Sequence, residues 1–313
     1  DHAVSYGGDP WTKRAHEAIR HLLGMDCEVF LLFTGTAGNA LALAHLAPPY
    51  GRVACHEAAH VLHDECSAPQ FFGAGLALHP LPGAHGKIDP AALETFATSQ
   101  HVHSGKAAAV TLTQATELGT VYSLVELRAL REVARRHGLR VHMDGARFAN
   151  AVATLRVSPR EIIEAAGLDA LTLGGTKNGM MGAEAVCFFN RDLAREFDYR
   201  RKQAGQLASK HRFLAAQWVG ALESGAWLRH AENANAMAAL LEAGLSKHGF
   251  TPVHPRGANE IFLKLPAPTV AALQARGWVL YDDPAWGGHR LVCSWDVTRE
   301  DVEAFLGDLA ALR

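Results

Sequence analysis

Between residues 29 and 189 short apolar runs alternate with helical patterns, and this alternation limits the fold more than any other feature of the chain. Residues 29–33, 52–55, 76–78, 107–113, 139–143 and 170–173 read as strands, and an apolar run ending at Phe189 reads as one more. Helical patterns lie between several of them, at 34–46, 124–137 and 158–166, the last with Pro159 in its first turn. Such alternation predicts an α/β fold, a mostly parallel sheet flanked by helices. In sheets of this kind ligands bind beyond the carboxyl ends of the strands.

The character changes after Asn190. Residues 191–244 read as almost continuously helical, and short strands at 260–265, 279–281 and 290–295 follow, with helices at 268–275 and 299–312. We expect a large domain over residues 1–220 and a smaller C-terminal α+β domain over 221–313, with the changeover near 205–230. No strand or helix pattern precedes the helix expected at 11–23, so an N-terminal piece is expected to be missing. The 313 residues, 49% hydrophobic, suffice for such a core, and no apolar run reaches membrane-spanning length. With 30 basic against 32 acidic residues there is no electrostatic case for nucleic acid or a membrane surface. Five scattered cysteines lack zinc or redox spacing and suit a reducing compartment, so the expected location is cytoplasmic.

Three groups fall at strand ends. Thr34-Gly35-Thr36 joins a strand to a helix start, where backbone N–H groups bind phosphate, although a threonine N-cap with a glycine turn reads the same way. Asp144 ends a strand and is followed by Gly145, Ala146 and Arg147; it either caps the next helix or pairs with a protonated ring nitrogen. Lys177 follows the next strand among Gly174, Gly175, Gly179 and Gly182. A loop lysine ordinarily points at water, but a desolvated one forms a Schiff base with an aldehyde. Phosphate cradle, carboxylate and lysine, each after its own strand, together favour pyridoxal 5'-phosphate (PLP). Competing with this, His56-Glu57-Ala-Ala-His60 matches the H-E-x-x-H zinc pattern, but a strand runs directly into it, so the helix that pattern needs is not assured.

Tyr6-Gly-Gly-Asp-Pro, Thr34-Gly-Thr-Ala-Gly-Asn39, Cys55-His-Glu-Ala-Ala-His60, Asp64-Glu-Cys-Ser-Ala-Pro, Gln114-Ala-Thr-Glu117, His142-Met-Asp-Gly-Ala-Arg-Phe-Ala-Asn150 and Thr176-Lys-Asn-Gly179 resemble, in order, the low-specificity L-threonine aldolases and their L-phenylserine aldolase branch. The resemblance implies the PLP-dependent transferase-like fold (fold type I), its large domain a mostly parallel mixed sheet flanked by helices, and a homodimer or homotetramer with shared active sites. Its substrate would be a small β-hydroxy-α-amino acid (L-threonine, L-allo-threonine or L-phenylserine), cleaved reversibly to glycine and an aldehyde. By motif position, Lys177 would carry PLP as a Schiff base, Asp144 would hold the pyridine nitrogen, and His60 would stack on the ring. Gly35 and Thr36 would hold the phosphate, Arg147 and Arg290 the substrate carboxylate, and Tyr6 and Lys202 would reach a neighbouring subunit's site. No metal is implied.

This chain departs from the family in two places. The N-terminal Ser-Asp pair of family members falls before Asp1. Another branch has a histidine near Thr116; with threonine here, His60 acting through a water is the first candidate for the base that takes the hydroxyl proton, and Glu65 the second. Phe71, Phe72 and Trp286 are candidates for an aryl pocket. The alternatives are another PLP enzyme on this scaffold, a β-eliminating lyase or aminotransferase, or a zinc hydrolase using His56, Glu57 and His60.

Overall fold

The computed structural model describes residues 2–99, 101–283 and 287–312. Seven strands form the larger sheet: β1 (Glu28–Leu32), β2 (Gly51–His56), β3 (Ala77–Leu81), β4 (Lys106–Thr113), β5 (Arg140–Gly145), β6 (Ala170–Gly174) and β7 (Glu184–Phe188). Their order is β1-β7-β6-β5-β4-β2-β3, and β7 alone runs against the others, pairing antiparallel with both β1 and β6. Every residue of β6 and β7 is buried, as continuous apolar runs covered on both faces require. β3, at the sheet's edge, is half-exposed and carries Pro80, which an edge strand tolerates.

The helices between the strands start where side chains can satisfy their first N–H groups. Ser123 with Glu126, and Ser158 with Glu161, form reciprocal capping boxes for the helices Leu124–His137 and Pro159–Ala166. Thr34 accepts from the Ala37 N–H at the head of the helix Gly35–Leu46, which packs against the sheet. Under that helix a polar chain crosses the sheet: His142 on β5 bonds Thr111 on β4 at 2.8 Å and Thr172 on β6 at 2.9 Å. Burial pushes the His142 pKa down to about 4, so the ring is neutral and its two nitrogens serve the two hydroxyls.

A second, antiparallel sheet of β8 (Glu260–Leu263), β9 (Tyr281–Asp283) and β10 (Gly288–Val292) has the order β8-β10-β9. The helix Ala226–Lys247 serves both cores: Trp227 and Ala231 join the larger one, Ala238, Leu241 and Leu245 the smaller. Some boundaries differ from the sequence expectation. The stretch 191–244 is four helices, Arg191–Ala194, Phe197–Gln203, Arg212–Glu223 and Ala226–Lys247; left-handed backbone at Glu196, Gly205 and Gly225 marks the three breaks between them. Strands expected at 76–78, 279–281 and 290–295 lie at 77–81, 281–283 and 288–292, because their ends are set by pairing with a neighbour and not by the apolar run. Among the described residues no helix is long and apolar enough to cross a membrane.

Candidate active site

A cavity of about 710 Å³ opens at the carboxyl ends of the parallel strands, between the two sheets. Gly35, Thr36, His60, Asp144, Arg147, Lys177 and Arg290 all line it. Tyr6 and Lys202 do not; they sit together outside, the Lys202 ammonium 4.5 Å from the centre of the exposed Tyr6 ring.

Lys177 lies in the 3₁₀ turn Thr176–Asn178 between β6 and β7. That turn is clamped from several sides. The Glu184 carboxylate accepts from the Gly175 and Thr176 N–H groups, the Thr176 hydroxyl accepts from the Ala183 N–H, and the Asn178 amide donates to the Trp227 carbonyl. Gly179 closes it with φ 98°, a left-handed conformation suited to glycine. The Lys177 side chain meets solvent through the cavity mouth, yet enough protein surrounds it that desolvation, then the charge of Arg147, lowers its ammonium pKa, while Asp144 opposes the shift. A lysine with a lowered pKa holds more of its amine in the nucleophilic form.

Across the cavity, Asp144 ends β5 in a buried position. Its Oδ2 accepts from the Asn39 amide at 2.8 Å and its Oδ1 from the Ala146 N–H at 2.9 Å. The same Asn39 amide donates to Glu65 Oε1 at 2.8 Å, and Glu65 Oε1 meets His60 Nδ1 at 2.9 Å. His60, Glu65 and Asp144 therefore converge, with ligand atoms within 4.8 Å of one another, and among the described residues no other such trio occurs. Asn39 lies between the carboxylates and bonds both, so the cluster is already knit by hydrogen bonds. The bond to Glu65 raises the His60 pKa, and burial raises that of Glu65. Glu65, expected as a second candidate base, lies behind His60 and off the cavity wall; it orients the ring.

The helix start supplies the anion end. Gly35 and Thr36 line the cavity, and a Cβ added to Gly35 would meet nothing within 4 Å, so bare backbone faces the space. A buried carboxylate, a lysine of lowered pKa and an open helix N-terminus around one cavity fit a phosphorylated pyridine aldehyde. At the other end, Glu260 on β8 has a fully buried side chain that bonds Arg147 at 2.8 Å and also Arg290 on β10. Desolvation lowers the Arg147 pKa, and Glu260 opposes it.

Other expectations resolve differently. His56 ends β2, where its Nε2 pairs with the Gly83 carbonyl and its Nδ1 accepts from the Ala58 N–H, while His60 begins the separate short helix His60–His63. With both His56 nitrogens engaged and no helix carrying both rings, the zinc arrangement of His56, Glu57 and His60 does not form. Phe71 and Phe72, on the helix Ala68–Phe72, do not line the cavity; Phe33, Phe262 and Tyr281 do. Trp286 lies outside the described residues. Thr116 is buried against Thr120, and its neighbour Glu117 reaches the wall instead. Sequence reasoning also passed over Asn39, Glu184 and Glu260, although Glu117 and Glu184 flank the carboxyl-end mouth where the parallel-sheet rule places ligands.

A model of the β-eliminating lyase family matches residues 1–267. The low specificity L-threonine aldolase of Pseudomonas aeruginosa is 51% identical over 98% of this chain and 90% of its own length; that of a Pseudomonas sp. strain is 48% identical over 99% and 90%. Among solved structures, the threonine aldolase of Leishmania major superposes with a TM-score of 0.93 at 26% identity, covering 99% of this chain and 92% of that one. The fold is that of the fold type I PLP enzymes.

Proposed function

The chain belongs to the β-eliminating lyase family of PLP-dependent enzymes, and from that premise we propose that it cleaves β-hydroxy-α-amino acids, L-threonine among them, to glycine and an aldehyde. The observation that carries this reading is one cavity lined by Lys177, Asp144, Arg147, Arg290 and an open helix start. When bound, PLP supplies a sink for the electron pair released as the Cα–Cβ bond breaks.

The chain's own residues prepare that cleavage. Lys177 would anchor the cofactor's aldehyde carbon through its amine. Asp144, fixed by Asn39 and the Ala146 N–H, would hold a proton on the pyridine nitrogen. Gly35 and Thr36 would take the phosphate, and His60, oriented by Glu65, would lie against the ring. Arg147 and Arg290, converging on Glu260, keep further N–H donors for the substrate carboxylate and thereby orient the Cα–Cβ bond. Phe33, Phe262 and Tyr281 support acceptance of an aryl side chain, as in L-phenylserine. The stacked, exposed Tyr6 and Lys202 support a homodimer or homotetramer in which they serve a second subunit's site.

Incubation with L-threonine and with L-phenylserine, with and without added PLP, tests the reading by release of glycine and aldehyde. Lys177→Ala is expected to abolish both the visible absorption of bound cofactor and glycine release. Formation of a keto acid in place of an aldehyde would instead select a β-eliminating lyase or aminotransferase.

A further inference from the structure

Cleavage of a β-hydroxy amino acid requires a group to accept the hydroxyl proton as the neighbouring carbon–carbon bond breaks. His60 already spends its Nδ1 on Glu65, a bond that orients the ring and raises its pKa. The cavity's carboxylates are mostly committed as well. Of those that line it, Asp144 is held by Asn39 and the Ala146 N–H, Glu184 uses its two oxygens on the Gly175 and Thr176 amides, and Asp64 and Asp282 are exposed, the latter near His289; Glu260, off the wall, is tied through Oε1 to two arginines.

Glu117 differs. It lies just beyond the carboxyl end of β4 in a turn tied by the Thr116 N–H to the Thr120 carbonyl and by the Gly119 N–H to the Thr116 carbonyl. The Gln114 side chain fastens the same loop, bonding the Tyr122 N–H and carbonyl. One carboxylate oxygen, Oε1, accepts from the Thr113 hydroxyl at 2.7 Å and from the His60 N–H at 2.8 Å. The other, Oε2, is buried and has no hydrogen-bond partner among the described residues. Among the described residues no cation forms an ion pair with the group, and burial pushes its pKa up to about 7, where a carboxylate both accepts and returns a proton readily. Thr113, His60 and Glu117 line the cavity together with Lys177.

Resting on the aldolase reading above, we propose that Glu117 is the catalytic base that takes the substrate's β-hydroxyl proton during cleavage and returns it in the reverse reaction. The O–H proton passes to the Glu117 carboxylate, and the O–H electron pair forms the aldehyde C=O as the Cα–Cβ bond breaks. Bound PLP would supply the sink for the electron pair on Cα, and Cα would finally gain one proton in place of the carbon it lost. The net reaction moves one hydrogen from oxygen to Cα and consumes none.

The test uses the PLP-loaded protein and its Glu117→Gln variant, since glutamine keeps the volume and the Oε1 acceptor. Three measurements are compared: visible absorption of the bound cofactor, exchange of the glycine Cα hydrogens with deuterated solvent, and cleavage of L-threonine across pH. Exchange at glycine needs no hydroxyl base, so it reports the rest of the site. The expected result is unchanged cofactor absorption, exchange within about threefold of the parent, cleavage lowered by about 100-fold or more, and loss of the rise in kcat/KM with pH near 7. Glu117→Asp is expected to restore part of the cleavage. Cleavage retained within tenfold, or a pH profile unchanged in shape, would overturn the proposal. So would a parallel fall in exchange and cleavage, which signals a structural role. A parent protein that binds PLP but releases no aldehyde overturns the aldolase reading and this inference with it.

Discussion

Burial pushes the carboxyl pKa of both Glu117 and Glu184 up to about 7, and both flank the cavity where Lys177 sits. Between the ordinary glutamate value of 4.5 and about 7, the folded chain keeps a proton on each that the unfolded chain has released. The stability this confers is complete below pH 4.5 and is lost as pH rises through 7. Glu117→Gln should therefore melt higher than the parent at pH 8, by on the order of 3 kcal/mol, with the difference shrinking towards pH 4. Thermal melts at the two pH values check this; a constant difference would mean that Glu117 is ionised throughout. At this scale the sequence exposed the groups whose chemistry is unusual for a loop, such as Lys177 among glycines and Asp144 at a strand end. Glu117 escaped notice because its character comes from Thr113, His60 and the lack of a cation, none of which a linear pattern contains.

Two glycines decide whether the elements bearing the site can reach it. A Cβ on Gly38 would lie 2.6 Å from Thr172 Cγ2, so the helix Gly35–Leu46 sits against β6 only because that side chain is missing. Gly38→Val is expected to lift the helix start, costing about 1–3 kcal/mol of stability and weakening PLP binding by tenfold or more. Melting and cofactor titration measure the two effects, and unchanged cofactor affinity would argue against the helix start as the phosphate site. Beside Lys177, a Cβ on Gly175 would run into the Ala183 carbonyl and the Met180 sulfur. Gly175→Ala should thus impair covalent capture of PLP more than overall folding, seen as lost visible absorption with helical circular dichroism retained. Most strands were readable from apolar runs of the right length. The antiparallel β7 fits the mixed sheet expected, since the link from β6 holds one 3₁₀ turn and is too short to cross back over the sheet. The edge strand β3 and the polar β9 were misplaced by a few residues, since pairing and not hydrophobicity sets their ends.

Across the whole molecule, Glu260 links Arg147, just past β5 of the larger sheet, to Arg290 on the smaller one. Removing it leaves the desolvated Arg147 guanidinium without its counter-charge and beside a second, part-exposed one, a change that typically costs about 3–5 kcal/mol. Glu260→Ala is expected to destabilise by that order and to raise KM for L-threonine more than it lowers kcat, because the arginines lose the orientation needed for a carboxylate. A melting temperature and KM equal to the parent's would show the link to be idle. The two-part architecture could be read from the change of pattern after Asn190, whereas this joint could not, because its members stand far apart in the chain. The central claim is that the Lys177 amine is the covalent anchor of the cofactor in this cavity. Borohydride reduction of the PLP-loaded protein, followed by peptide mass analysis, tests it most directly. The account predicts one pyridoxyl adduct, on Lys177; an adduct on another lysine, with Lys177 unmodified, would contradict it.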